Sequence, residues 1–224
     1  LTPWSRGGAP GALRESLRLI VLTDPGLAAP RGVLSAVRGA LQGGCRAIQL
    51  RDKGASAREL MEVGGHLRQM TREQGALLFV NDRLDVALAL EADGVHLGPD
   101  DIPVKAVRAA TPDHLLVGYS TDMPEEAAAA VADGADYIGC GAVYTTLNKA
   151  DAGEAIGPEG LDRVARRVEV PVVGIGGIQR ENVAEVAGTR AAGIAVMGSV
   201  MQAPDPEAEV RALLSLFSRG EPAD

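Results

Sequence analysis

Short apolar runs recur along the whole chain, at residues 19–23, 47–50, 77–80, 94–96, 115–118, 137–140, 171–175 and 194–197. They are rich in β-branched or small side chains and too brief for helices, so each predicts a buried strand. The stretches between them carry a helical period instead. Leu60, Val63, Leu67 and Met70 recur at i, i+3, i+7 and i+10, with Arg58, Glu59, Glu62 and Arg68 largely off that stripe, the pattern of an amphipathic helix covering a sheet. A last helix opens at Asp205-Pro206, a cap followed by proline in the first turn, and aligns Val210, Leu213, Leu214 and Phe217 on one face.

Eight strands, each followed by a helix, predict an α/β fold of one domain, a closed (β/α)8 TIM barrel; an open doubly wound sheet is the alternative. The polar and Gly-rich sequences favour the barrel because they fall just after the strands. These are Thr23-Asp24, residues 49–53, Asn81-Asp82, residues 97–101, Ser120, residues 145–149, Gly176-Gly177 and Gly198-Ser199. A barrel gathers all eight strand ends around one mouth. No linker or shift in composition divides the chain. Residues 18–219 form the predicted catalytic barrel and 220–224 a frayed tail, while residues 1–17, with Gly7, Gly8, Pro10, Gly11 and the only tryptophan, Trp4, read as a flexible leader.

Composition narrows the partners. Among 224 residues, 22 Lys plus Arg against 30 Asp plus Glu give a net charge of −8, which disfavours nucleic acid, and aromatics at 3% provide no platform for stacking bases. At 46% hydrophobic the chain can bury a large core. No apolar stretch approaches the ~18–20 residues that span a bilayer, so a soluble protein without a membrane partner is expected. Only Cys45 and Cys140 are present, too few for a disulfide framework and too far apart for a zinc motif, so two free thiols in a reducing cytoplasm are expected.

The candidate chemistry lies after the strands. Alternation along the second strand sends Gln49, Arg51 and Lys53 to one side, and two cations at the mouth of an acidic barrel suit a polyanion; a solvated loop with surface ion pairs is the competing reading. Asn81-Asp82 and Asp100-Asp101 end adjacent strands. Paired carboxylates there suit Mg2+, although Asp82 and Asp101 each precede a helix, and capping is the better reading of either alone. Beside Arg51 and Lys53, metal binding overtakes it. Residues 145–157 lack an apolar period and read as a lid whose Thr145, Thr146, Asn148 and Lys149 could fold over a phosphate, or as a surface loop. Gly176-Gly177 after the seventh strand and Met197-Gly198-Ser199 after the eighth occupy the usual phosphate site of a barrel. His66, His114 and His96 do not read as catalytic, and His96 reads as a packed, satisfied side chain.

These motifs, taken in order, resemble the thiamin phosphate synthase family over nearly the whole chain. The resemblance rests on Gly43-Gly44 leading to Gln49-Leu50-Arg51-Asp52-Lys53, on Asn81-Asp82-Arg83 and Ala92-Asp93-Gly94-Val95-His96-Leu97-Gly98, on Gly134-Ala135-Asp136-Tyr137-Ile138-Gly139, and on Ile175-Gly176-Gly177-Ile178. It implies a (β/α)8 transferase that joins a pyrimidine diphosphate to a thiazole phosphate, releasing pyrophosphate. By the same resemblance Gln49, Leu50, Arg51, Asp52, Lys53, Asn81, Ser120 and Lys149 would hold the pyrimidine diphosphate, and Arg51, Lys53 and Lys149 would stabilise the leaving group. Thr146, Leu147, Asn148, Gly177, Met197 and Gly198 would hold the thiazole phosphate, and Asp82 and Asp101 the Mg2+. The chain departs from the family pattern at Asn148, where threonine is usual, at Pro99, where glutamine is common, and at Gly198, where serine is common. Two rivals remain at this stage: a related barrel that tautomerises a thiazole carboxylate phosphate, and a non-catalytic sensor of phosphate ligands. The oligomeric state is left open.

Overall fold

The structure is a computed structural model that describes residues 10–146 and 154–220. Its eight strands are β1 (Leu19–Leu22), β2 (Ala47–Leu50), β3 (Leu77–Asn81), β4 (Gly94–Leu97), β5 (Leu116–Ser120), β6 (Tyr137–Cys140), β7 (Val172–Ile175) and β8 (Gly193–Val196). All pair in parallel in chain order, and β1 closes on β8, so the sheet is a barrel and not the open alternative. Closure leaves no edge strand, and both faces of every strand are covered.

Alternation divides the core into two. Ile20, Leu22, Ala47, Leu77, Phe79, Leu116, Tyr137, Val173 and Ala195 fill the barrel interior. Leu19, Val21, Ile48, Leu50, Leu78, Val80, Val95, Val117 and Ile138 face outward into a larger layer shared with the helices. In a strand, neighbouring side chains leave on opposite faces, so a continuous apolar run serves both layers at once.

Of the residues read as a flexible leader, 10–17 belong to the fold. Helix α1 (Pro10–Ser16) is followed by the fully buried Leu17, and Leu13 packs with it beneath the barrel interior. Leu13 and Leu17 are four residues apart, which puts them on one helical face, and together they plug the N-terminal end of the barrel. Residues 1–9 and 221–224 lie outside the described residues.

The second helix, α2 (Val33–Gln42), packs against α10 (Pro206–Gly220), whose Val210, Leu213 and Phe217 are buried as expected. The third, α3 (Ala57–Glu73), begins with a capping box between Ser56 and Glu59. Its buried stripe is Leu60, Gly64, Leu67, Arg68 and Thr71, rotated from the expected one so that Val63 and Met70 only flank the core. Two things cause the rotation. Gly64 lets α3 approach Leu50 and Leu90, and Arg68 is drawn inward to a bidentate ion pair with Asp93, at 2.6 and 3.2 Å.

Asp93 also accepts the Leu78 N–H, tying the start of β4 to β3. The same device recurs two strands on. Asp136, just before β6, accepts the Val117 N–H and pairs with Arg108 of α5 (Val104–Ala110). Both pairs lie at the N-terminal end of the barrel, opposite the mouth, and serve the fold.

Candidate functional site

At the C-terminal ends of the strands a cavity of about 400 Å³ opens into the barrel. Gln49, Arg51, Asn81, Ser120, Thr146, Gly177, Met197 and Gly198, all singled out from the sequence, line it.

The geometry begins at Thr23. Its buried hydroxyl accepts the Arg51 N–H at 2.8 Å and donates to the Arg51 carbonyl at 2.9 Å, so β1 grips β2 one residue past the end of the strand. That grip fixes the backbone from which Arg51 enters the cavity. The guanidinium is 3.5 Å from the Asp24 carboxylate and 3.8 Å from the Met197 sulfur, which links the ends of β2 and β8 past β1, the strand between them. Gln49, one inward position deeper, hydrogen-bonds Tyr137. Leu50 points the other way, into the helix layer against Gly64, because alternation sends it outward; its side chain is not at the site. Asp52 accepts the Gly54 N–H and shapes the turn, and Lys53 is exposed at the rim.

Asp82 lies just past β3 with φ of +62°, and its N–H donates to the His96 carbonyl at 2.8 Å. An aspartate tolerates this left-handed conformation better than most residues, and such positions concentrate at functional sites. Its carboxyl is pushed up to about 6, first by burial and then by a hydrogen bond and charge repulsion from Asp101, against the opposing pull of Lys53 and Arg51. The two carboxyls are thus close enough for Asp101 to disfavour the charge on Asp82. Neither caps a helix: α4 (Leu84–Ala89) has Arg83 at its N-cap, α5 has Pro103, and Asp101 instead accepts the Gly98 N–H at 2.7 Å. The capping reading fails at both positions because each chain segment turns before its helix starts. Among the described residues no group of three or more His, Cys, Asp or Glu is arranged to hold a metal. A two-carboxylate site fits Mg2+, which keeps several waters and takes phosphate oxygens as further ligands, and not a closed protein cage.

Across the mouth, Gly176 and Gly177 have φ of +99° and +64°. A Cβ at Gly177 would lie 2.8 Å from the Thr145 carbonyl oxygen and from the Tyr144 side chain, so only glycine lets this turn meet the loop after β6. Asn182 locks the turn by donating to the Gly177 carbonyl at 2.9 Å. Beside it, the Ser199 hydroxyl is buried, lines the cavity and has no hydrogen-bond partner among the described residues. Leu147, Asn148 and Lys149, with the middle of the expected lid, lie outside the described residues.

His96 is packed and satisfied, as expected, yet it also lines the cavity. Its Nδ1 is 2.8 Å from the Tyr137 hydroxyl and its Nε2 2.7 Å from the Ser120 hydroxyl, which joins Gln49, Tyr137, His96 and Ser120 into one chain. The signal for it was glycine at the inward positions Gly118 and Gly139. A Cβ there would lie 2.5 Å from His96 Nδ1 and 3.0 Å from its Cε1, so these strands are cleared for an imidazole.

The comparisons with known proteins agree over the same span. A family described as thiamine monophosphate synthase matches residues 19–200. The chain is 45% identical over 201 residues to a thiamine-phosphate synthase of Moorella thermoacetica, covering 90% of this chain and 96% of that protein. It is 49% identical over 193 residues to one of Pyrococcus furiosus, covering 86% of this chain and 91% of that protein. A solved structure of the thiamine phosphate pyrophosphorylase from Pyrococcus furiosus superposes with a TM-score of 0.85 at 46% identity, over 93% of this chain and 98% of that one. With the strand order, the glycine turn and the cationic mouth already in place, these similarities establish that the chain belongs to the thiamine monophosphate synthase family.

Proposed function

We propose that the mouth of the barrel carries out the family reaction with the pyrimidine diphosphate at the β2–β5 side, Mg2+ on Asp82 and Asp101, and the thiazole phosphate at the glycine turn. The reaction is the synthesis of thiamin phosphate, in which the chain joins a pyrimidinylmethyl diphosphate to a thiazole phosphate and releases pyrophosphate. The observation that carries the assignment of sites is that Asp82 feels Asp101, Lys53 and Arg51 together, while Arg51 and the neighbouring Asn81 line the cavity. Two adjacent carboxyls beside two cations are poorly satisfied by one another alone, and a divalent cation bridging to a diphosphate resolves the arrangement.

Breaking the CH2–O bond leaves positive charge on the pyrimidine and negative charge on diphosphate. Arg51 and Lys53, with Lys149, supply fixed positive charge where the negative charge develops. Mg2+ would neutralise further charge on the departing diphosphate. Asn81 and Ser120 orient the same group by hydrogen bonds, and Gln49 meets the pyrimidine. On the opposite side the Gly177 turn, the backbone at Met197-Gly198, Thr146 and Asn148 hold the thiazole by its phosphate, and the unpartnered Ser199 hydroxyl fits the same anion. Fixing both partners in one cavity presents the thiazole nitrogen to the electrophilic carbon without a covalent enzyme intermediate. A tautomerase of similar fold has no use for the Asp82 and Asp101 pair. The buried, unpaired Cys45 and Cys140 support a reducing cytoplasm as the setting.

The test combines both substrates with and without a chelator and follows pyrophosphate release. Turnover should depend on Mg2+, and Asp82→Ala and Asp101→Ala should each remove most of it while leaving the fold intact. Lys149→Ala should lower kcat by about 10² or more with a smaller effect on substrate affinity, the signature of a donor that acts on the leaving group. Full activity of either aspartate variant at low Mg2+ would refute the metal site, and a pure KM defect in the lysine variant would make Lys149 a binding residue only.

A further inference from the structure

The chain Gln49–Tyr137–His96–Ser120 has a property that its individual hydrogen bonds do not: its protons must all point one way. Tyr137 is fully buried, and burial raises its hydroxyl well above the ordinary range, so it keeps its proton and has one to donate. A neutral imidazole has one N–H and one acceptor nitrogen. Two arrangements therefore satisfy every member. In the first, Gln49 donates to the Tyr137 oxygen, Tyr137 donates to His96 Nδ1, and His96 Nε2–H donates to the Ser120 oxygen. The Ser120 proton is then left for the cavity, and the Gln49 carbonyl oxygen is left as an acceptor. In the second, every proton reverses, Ser120 spends its proton on His96, and Gln49 turns its NH2 toward the cavity.

We infer that His96 is a positioning residue, held in the Nε2–H tautomer by Tyr137, which makes the Ser120 hydroxyl an obligate donor to an anionic oxygen of the ligand and the Gln49 carbonyl an acceptor for an amino group. The inference rests on the reading that this cavity takes the diphosphate, since an anion beside Ser120 selects the first arrangement and repels the second. The site is built for the ring. Gly118 and Gly139 clear the space on adjacent strands, and Phe79 packs edge-on against Tyr137 at 5.2 Å between ring centroids, which fixes the phenol from behind. One relay thus reads two features of the same ligand, a hydrogen-bond donor at one end and an anion at the other. A ligand lacking either feature loses more than one contact, because reversing one end reverses the other.

Two measurements test this. Nitrogen-15 NMR of histidine-labelled protein saturated with Mg2+ and inorganic pyrophosphate should show His96 with Nδ1 unprotonated and Nε2 protonated; the opposite tautomer, or an imidazolium, would overturn the inference. The second measurement is the affinity for Mg2+-pyrophosphate in His96→Asn, His96→Gln, Ser120→Ala and the double variant His96→Asn/Ser120→Ala. The longer glutamine can place an N–H near the position of Nε2 and should retain most of the affinity. Asparagine cannot reach and should lose about tenfold or more, the size of a hydrogen bond to a charged group. The double variant should be no weaker than Ser120→Ala, because His96 acts through Ser120. Equal losses in the asparagine and glutamine variants, or additive losses in the double variant, would reduce His96 to packing. If the wild-type protein fails to bind Mg2+-pyrophosphate at all, the diphosphate assignment falls. The tautomer of the ligand-free protein, read from the same labelled sample, then decides the relay by itself: Nδ1–H overturns it and Nε2–H sustains it.

Discussion

Asp82 is the residue at which stability and the proposed function pull apart. Its carboxyl, ordinarily near 3.8, is raised to about 6 in the folded protein. Between those values the folded state holds a proton that the unfolded state has released, so stability falls as pH rises through that window and the penalty persists above it. Asp82→Asn removes the penalty. In metal-free protein it should raise Tm at pH 7 and leave Tm nearly unchanged at pH 3, where the wild-type carboxyl is mostly protonated in both states. Activity should move the opposite way and be lost. Scanning calorimetry in the presence of a chelator checks the first part, and a variant that is destabilised at pH 7 would contradict the electrostatic account.

At the level of elements, the ion pairs of Arg68 with Asp93 and of Arg108 with Asp136 do the same work at two places in the barrel. Each aspartate joins a helix to the strand that follows it and to the N–H of a neighbouring strand. Both members of the first pair are nearly inaccessible, 7% and 5% exposed as side chains. Truncating one leaves a buried charge and an orphaned Leu78 N–H, so Asp93→Ala should cost about 3–5 kcal/mol in urea denaturation. The apolar replacement Arg68→Met in the same background should recover part of that loss by removing the stranded cation. A loss in Asp93→Ala below 1 kcal/mol would mean that water reaches the site. The glycines are the counterpart on the mouth side. Gly118→Ala would drive a Cβ to 2.2 Å from the Tyr137 ring, and it should lose about 1–3 kcal/mol by overpacking while disrupting the His96 chain.

For the molecule as a whole, the barrel is closed by its own ends. Arg18, just before β1, hydrogen-bonds Ser218 and lies over the Phe217 ring at 5.6 Å, so the last helix seals the seam where β1 meets β8. The two thiols report on this closure. Cys45 is pushed up to about 11 and Cys140 to about 12, mainly by burial, which keeps both protonated at neutral pH. Thiol reagents should therefore label neither in the native protein, and both should react together on global unfolding. Phe217→Ala, which empties a fully buried site in α10, should speed that labelling through lowered stability of about 3–5 kcal/mol. Rapid labelling of one thiol without the other would reveal local opening.

The sequence by itself determined the strands, their order and the end of the barrel at which the cavity opens, because a run of alternating inward and outward apolar residues and the polar residues that stop it are properties of adjacent positions. It therefore disclosed Gln49, Arg51, Asn81, Ser120, Thr146 and the Gly177 turn as neighbours at one mouth. Only the tertiary structure decided which side chains pair. Arg68 left its expected place on α3 for Asp93, Asp82 and Asp101 turned from capping to each other, residues 10–17 became a plug, and His96 joined Tyr137 and Ser120, 41 and 24 positions away. Those choices depend on the register of neighbouring strands and on how closely a glycine lets two elements approach. Neither is written in any short window of the chain.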